Sequence, residues 1–261
     1  FWNTALSGEE NFQLFNPPAF PALNWGAVAE MAIEEKNYGW VIEVDPFGEL
    51  PPTKHTALGR FSHENACLRV GASGRLAVYM GDDAADQYLY KYLSNEKYVA
   101  GSPRVTQSAL LDDGTLYAAD FAKGVWIPLD LKRTPAIAKA GFKNQGEVML
   151  RTREAAKAAG ATPIDRPEDC EIHPLDGSLY VALTNNAAHG NFHGQIVRLV
   201  ENDDDAESEK FRFELILAGG AQSGLSCPDN LVFDKQGNLW VTADISSYSI
   251  GQGIYEPFGN N

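Results

Sequence analysis

The sequence is short of positive charge. Its 261 residues carry 21 Lys and Arg against 35 Asp and Glu, a net charge of −14. A nucleic-acid binder needs a basic face, and attraction to an anionic membrane needs one too, so the balance argues against both classes. Cysteine is scarce: Cys67, Cys170 and Cys227 are too few and too scattered for a disulfide scaffold or a zinc knuckle, and read as small buried residues. No apolar run reaches the ~18 residues needed to span a bilayer. No signal peptide and no initial Met are present. Phe1 therefore reads as a processed or truncated start, with which a targeting signal could have been lost. Familiar catalytic loops are missing as well. There is no GxxxxGK[ST] and no GxSxG, and after His63-Glu64 the second histidine of a zinc protease is replaced by Cys67. An anionic substrate would be repelled by this chain unless cations neutralised the charge locally, which makes bound metal an expectation.

What is present is ordinary globular material, 44% hydrophobic and 21% charged, in a chain long enough for one large domain. Most of it reads as strands: Tyr38 to Pro46, Cys67–Val70 with Leu76–Met80, Tyr88–Leu93, a hairpin of Gly114–Ala119 with Gly124–Leu129, then Leu179–Leu183, Gln195–Val200, Phe211–Leu217, Leu231–Phe233 and Leu239–Thr242. One helix is expected over Glu147–Ala159, stopped by Gly160, and a short one around Ala27–Ile33. A repeat runs through the strands. Gly114-Thr115-Leu116-Tyr117, Gly177-Ser178-Leu179-Tyr180 and Gly237-Asn238-Leu239-Trp240 share a turn glycine, a polar residue, Leu and an aromatic, and Gly74-Arg75-Leu76 is a looser copy. The glycine suits a hairpin corner and the Leu–aromatic pair a strand packed on one face. Recurrence every ~40–60 residues points to a β-propeller, with a β-sandwich as the alternative. Trp126, Tyr180 and Trp240 are expected in blade cores, and Asp203-Asp204-Asp205 with Glu207 and Glu209 at a solvated hairpin tip.

Four segments place carboxylates or amides beside turn residues just before strand-like runs. They are Ser7-Gly8-Glu9-Glu10-Asn11, Gly59-Arg60-Phe61-Ser62-His63-Glu64-Asn65, Asp165-Arg166-Pro167-Glu168-Asp169 and Cys227-Pro228-Asp229-Asn230. The same chemistry spread over the chain suggests ligands delivered by separate parts of the fold to one place. These segments, with Trp2-Asn3-Thr4, Tyr79-Met80-Gly81-Asp82-Asp83, Tyr90-Lys91, Leu183-Thr184-Asn185-Asn186 and Asp234, also carry a resemblance. In this order, over almost the whole chain, they are similar to the PhoX-type alkaline phosphatases, a family of secreted β-propeller phosphatases.

The resemblance implies a phosphate-monoester hydrolase, periplasmic or extracellular, whose iron–calcium cluster activates an oxygen nucleophile without a Ser or Thr. Residues 1–261 would then be part of a single propeller catalytic domain, holding some of its blades plus one or two helical insertions. The family's iron-binding cysteine would fall ahead of Trp2 and the remaining blades beyond Asn261, so these residues alone are expected to be inactive. Glu10, Glu64, Glu168 and Asp229 match the family's metal positions. Glu9, Asp169 and Asn230 are further candidates, directly or behind the ligands. Calcium takes carboxylate and amide oxygens, and ferric iron accepts carboxylate and thiolate. For gripping a small phosphorylated substrate Arg166 comes first, since a planar guanidinium offers two parallel hydrogen bonds, and Arg60 second. His63 is expected to orient Glu64 or fill a polar niche, with metal ligation as the lesser alternative. Asn185-Asn186 reads as a turn pair, with a place near the site as the second reading. Two other readings stay open: a calcium-dependent lactonase-like propeller hydrolase, and a non-catalytic propeller binding module.

Overall fold

The computed structural model describes residues 35–258. Two compact units divide the chain: residues 1–38, of which Glu35 to Tyr38 are described, and residues 39–261. The first contributes the 3₁₀ turn Glu35–Asn37. Glu9, Glu10 and the short helix expected around Ala27–Ile33 lie outside the described residues.

The second unit is mostly β. A hairpin of β1 (Val41–Glu43) and β2 (Thr53–His55) leads in, and β1 is shorter than the Tyr38 to Pro46 run suggested. Then comes a five-stranded antiparallel sheet. Its members are β3 (Cys67–Val70), β4 (Arg75–Gly81), β6 (Leu89–Lys97), β7 (Gly114–Asp120) and β8 (Val125–Pro128), in that order. Between β4 and β6 the chain leaves this sheet as β5 (Ala85–Gln87) and pairs with β9 (Ile164–Asp165). A four-stranded antiparallel sheet follows: β10 (Pro167–Ile172), β11 (Leu179–Leu183), β12 (Gln195–Glu201) and β13 (Phe211–Ala218). β14 (Pro228–Phe233) and β15 (Leu239–Ala243) form a further pair. These are successive antiparallel meanders, a partial set of propeller blades, with β10 packed between β3 and β4 on one side and β14 on the other.

Alternation along the strands explains the layering. On β4, Val78 and Met80 face a core with Leu58, Tyr90, Leu129, Ile137, Val148 and Ala155. Ala77 and Tyr79 face the other way with Trp126 of β8, into a core shared with Cys170, Val181, Leu199 and Phe211 of the second blade. The central strands of the first sheet are thus buried on both faces, by helical turns on one side and by the next blade on the other. The repeat glycines Gly74, Gly177 and Gly237 sit at corners with φ of 98°, 71° and 85°. Gly114 differs: a Cβ there would lie 2.4 Å from Leu93 O, so close backbone approach and not left-handed φ explains it.

Three expectations are corrected. The helix is broken at Arg151 into Gln145–Leu150 and Thr152–Ala159. The break places Met149 O and Thr152 Oγ1 where both accept from Arg60 N–H, at 3.0 and 2.9 Å, and Gly160 still caps the end at φ 86°. Trp126 is buried, but Tyr180 is only partly covered and Trp240 is 63% exposed, because β14 and β15 carry no further layer on that face among the described residues. The acidic tip is docked in part: Asp203, Asp204 and Glu209 are exposed as expected, but Asp205 and Glu207 are not. Asp205 accepts from Ala72 N at 2.9 Å, and Glu207 accepts from Ser73 N at 2.7 Å and its Oγ at 2.9 Å.

Docking the tip closes a buried polar lock between the two blades. Lys91 Nζ, fully buried on β6, donates to Glu201 Oε1 at 2.6 Å, Ser208 O at 2.6 Å and Ala206 O at 3.2 Å. Glu201 also accepts from Tyr79 Oη at 2.5 Å and Trp126 Nε1 at 3.0 Å. Every ammonium hydrogen has an acceptor, as a charge held in the interior requires.

Candidate functional site

The two later blades begin alike. In Arg166-Pro167-Glu168-Asp169 the ladder runs Pro167 to Leu183 and then Cys170 to Val181, so Glu168 and Asp169 together oppose Ala182. In Cys227-Pro228-Asp229-Asn230 it runs Pro228 to Ala243 and then Leu231 to Val241, so Asp229 and Asn230 oppose Thr242. Both are bulges, which bend a strand and re-aim its side chains. In both the residue before proline has positive φ, 53° at Arg166 and 54° at Cys227. That conformation is costly for any residue but glycine, more so before proline, and persists where its surroundings enforce it. Thr184 N donates to Arg166 O at 3.1 Å and Asp244 N to Cys227 O at 3.0 Å, which pins both turns.

The first blade brings its acids to the same end. Glu64 N donates to Gly81 O at 3.4 Å and Asp83 N to Ser62 O at 3.0 Å, so Glu64 and Asp83 flank the point where β4 ends. Gly81 is obligatory there: a Cβ would stand 2.4 Å from Pro167 O and 2.5 Å from Glu168 O. Behind it Asp82, fully buried, accepts from Arg153 Nε at 2.8 Å and from Ser62 N at 3.2 Å. One carboxylate oxygen each from Glu64, Asp83 and Glu168 then lie within 4.8 Å of one another. Arg166 Nη2 reaches into this group, donating to Asp83 Oδ2 and Glu168 Oε1, each at 3.0 Å. Asp83 Oδ1 is 2.8 Å from the same nitrogen, but at an angle that makes it an ion pair without a hydrogen bond, and it is buried.

The electrostatics are those of a site short of cations. Burial raises the Glu168 carboxyl, the charges of Asp83, Asp229 and Glu64 add to it, Arg166 offsets only part, and the result is pushed up to about 9. Glu64 is raised by burial and by Asp83 and Asp229. Asp229 is raised by burial, then by Asp244 and Asp83. One guanidinium does not balance these carboxylates, and a hard divalent or trivalent cation bound by oxygen would. The donor set therefore fits such an ion.

Glu64 and Glu168 are brought together and Asp229 lies within electrostatic reach. Asp169 is engaged otherwise. It accepts from Cys170 N at 2.8 Å, from Leu231 N at 2.7 Å and from Asn65, tying all three blades. Asn230 is exposed, with its N–H on Thr242 Oγ1. Arg60 is held by its backbone to the helical segment and is not among the main charges acting on Glu64, Glu168 or Asp229. His63 fills a polar niche: it stacks on Phe61, its Nε2 meets Gly59 O at 3.0 Å, and burial lowers it to about 4. Asn185 Oδ1 lies 3.5 Å from Arg166 Nη1, and its amide donates to Cys227 Sγ at 3.4 Å. Asp83 was not among the candidates from sequence, although Gly81-Asp82-Asp83 was one of the matched pieces. Burial raises the Cys67 and Cys170 thiols, which leaves them poor ligands.

A family model described as alkaline phosphatase PhoX matches residues 1–254. A solved structure of Pseudomonas fluorescens PhoX in complex with vanadate, a transition state analogue, is 35% identical with a TM-score of 0.79. The match covers 87% of this chain and 46% of that one, so the chain spans less than half of that protein's length. Comparison with curated protein sequences gave no match.

Proposed function

The chain belongs to the PhoX alkaline phosphatase family, and from that we propose that it carries one side of the active site of a metal-dependent hydrolase of phosphate monoesters, residues 1–261 being part of one propeller catalytic domain. The observation that carries this reading is the cluster of Glu64, Asp83 and Glu168 around the Arg166 guanidinium. Those three carboxylates would hold cations, with Asp229 beside them and Glu9 and Glu10 as further candidates. All-oxygen donors suit calcium, and an iron would take carboxylates here plus a ligand from another segment. Bound, such ions would stabilise negative charge on the ester and activate water for attack. Arg166 would bind the phosphoryl oxygens and orient the ester. The chain's negative charge fits small substrates met through bound cations and not nucleic acid. No helix among the described residues is long and apolar enough to cross a membrane, and we place the protein in the periplasm or outside the cell.

The test is an assay of the metal-loaded enzyme on an aryl phosphate and on a lactone, with elemental analysis. Chelator-sensitive phosphate release is expected, with no lactone opening. Glu168→Gln removes one anionic ligand and should lower both metal content and activity by about 10–100-fold. Full metal content in that variant would remove Glu168 from the ligand set.

A pH dependence follows for the metal-stripped protein. A carboxyl raised in the fold binds its proton more tightly than in the unfolded chain, so stability is lost as pH rises from its ordinary range toward the raised value. For Glu168 that window runs from 4.5 to about 9. Melting temperature after chelation should fall across this window by at least a few degrees, at about 2–4 °C per kcal/mol for a domain of this size. Calcium should restore most at the alkaline end. A flat profile would contradict the raised carboxyls.

A further inference from the structure

We infer that His189 is a positioning residue for Arg166, an inference that rests on the reading of Arg166 as the group that grips phosphate. His189 sits in the 3₁₀ turn Ala187–His189, and both of its ring nitrogens meet carboxylates. Nδ1 is 2.6 Å from Asp165 Oδ1 and Nε2 is 3.1 Å from Asp86 Oδ1. Two buttressing amides complete the arrangement. Asn186 Nδ2 donates to Asp86 Oδ1 at 3.1 Å and Asn191 Nδ2 to Asp165 Oδ2 at 3.0 Å.

The two carboxylates belong to the two segments that carry the site. Asp86 is on β5, three residues after Asp83; Asp165 is on β9, immediately before Arg166. β5 and β9 pair only through Ala85 with Asp165 and Gln87 with Ile164, and the register shifts between these pairs. So short a ladder is weak by itself. It also sets two like charges, Asp86 and Asp165, near each other. The imidazole lies between them, with Nδ1 hydrogen-bonded to Asp165 and Nε2 3.1 Å from Asp86, and so links the two strands. Arg166 directly follows the clamped Asp165 and Asp83 stands three residues before the clamped Asp86, and these two make the 3.0 Å contact inside the acidic cluster. The loop that bears His189 also begins at Asn185, whose amide oxygen faces Arg166 Nη1. Arg166 must hold positive φ before proline, so its direction depends on such outside support.

The charged groups facing His189 are Asp86 and Asp165; Arg153, Glu154 and Lys157 line the groove beyond Asp86. Among the described residues none of these donates to Glu64 or Glu168 in place of Arg166, so His189 acts on the cluster through the segments it links.

The experiment is a double-mutant cycle on the full-length, metal-loaded enzyme, read as the inhibition constant of inorganic phosphate alongside kcat. His189→Ala should raise that constant about tenfold with metal content unchanged. His189→Gln, which keeps a donor for one carboxylate, should recover part of the loss and serves if the alanine variant does not fold. In an Arg166→Ala background the same His189 change should move the constant less than twofold, because the residue through which it acts is gone. His173→Ala removes a comparable histidine–aspartate pair, His173 Nδ1 to Asp176 Oδ1 at 3.0 Å, at the far turn of β10 and β11. It should leave the constant unchanged even if melting temperature drops. An unchanged constant in His189→Ala and His189→Gln, or an equal effect with and without Arg166, overturns the inference. If Arg166→Ala itself leaves phosphate inhibition and kcat intact, the reading of Arg166 has failed and not the clamp.

Discussion

Arg166→Ala is expected to lower kcat by about 10²–10³-fold while the protein keeps its metal. Among the described residues Arg166 is the one cation that donates into the acidic cluster, with Nη2 shared between Asp83 and Glu168, and about a third of its side chain remains open to solvent. A phosphoryl group in transfer carries its charge on equatorial oxygens, which a guanidinium matches with parallel hydrogen bonds. The grip should tighten as the transition state forms, so the loss falls on turnover more than on KM. Arg166→Lys should recover little, because an ammonium is a point charge without the planar fork. Elemental analysis beside steady-state kinetics separates this from Glu168→Gln, which loses metal and rate together. Kinetics within twofold of the parent in Arg166→Ala would remove Arg166 from the site.

The largest loss of stability is expected from Glu201→Gln or Lys91→Met, at about 3–5 kcal/mol each. Lys91 is wholly buried and Glu201 nearly so. Either change leaves the opposite charge in the interior with its best partner gone. Glu201→Gln also weakens the bonds from Tyr79 and Trp126. The double variant Lys91→Met/Glu201→Gln should be less unstable than the sum of the singles, since the orphaned charge disappears. Denaturant melts of the three proteins measure this, and additive losses would show that the pair acts independently.

Much of the fold was legible. Turn glycines and alternating apolar residues marked most strands, and the Leu–aromatic repeat pointed to blades. The same periodicity misplaced Trp240, because alternation says which residues share a face and not whether another layer covers it. The helix break at Arg151 was invisible, since what it accompanies, the bonds from Arg60 N–H to Met149 O and Thr152 Oγ1, joins residues up to 92 positions apart. At the site, Glu64, Glu168 and Asp229 were readable as acids beside turn residues. Asp83 was not singled out, although Gly81-Asp82-Asp83 was matched, because it shares that turn with Asp82 and its partner Arg166 lies 83 positions away. The sequence shows Asp169 and Glu168 as neighbours of one kind. Only the bulge tells them apart, aiming one carboxylate into the cluster and the other onto backbone amides of β10 and β14.

That bulge separates chemistry from architecture. Glu168 and Asp229 occupy the surplus position of their strands, where the ladder skips a residue, so blade pairing does not depend on which side chain stands there. The two positions already differ by one methylene, the difference in reach between glutamate and aspartate. Each blade entrance is therefore a socket whose occupant can be lengthened, shortened or neutralised across descendants of the fold while the sheet behind it stays the same. In the second blade the residue beside it is not interchangeable in this way, because Asp169 also fastens the neighbouring blade through Leu231.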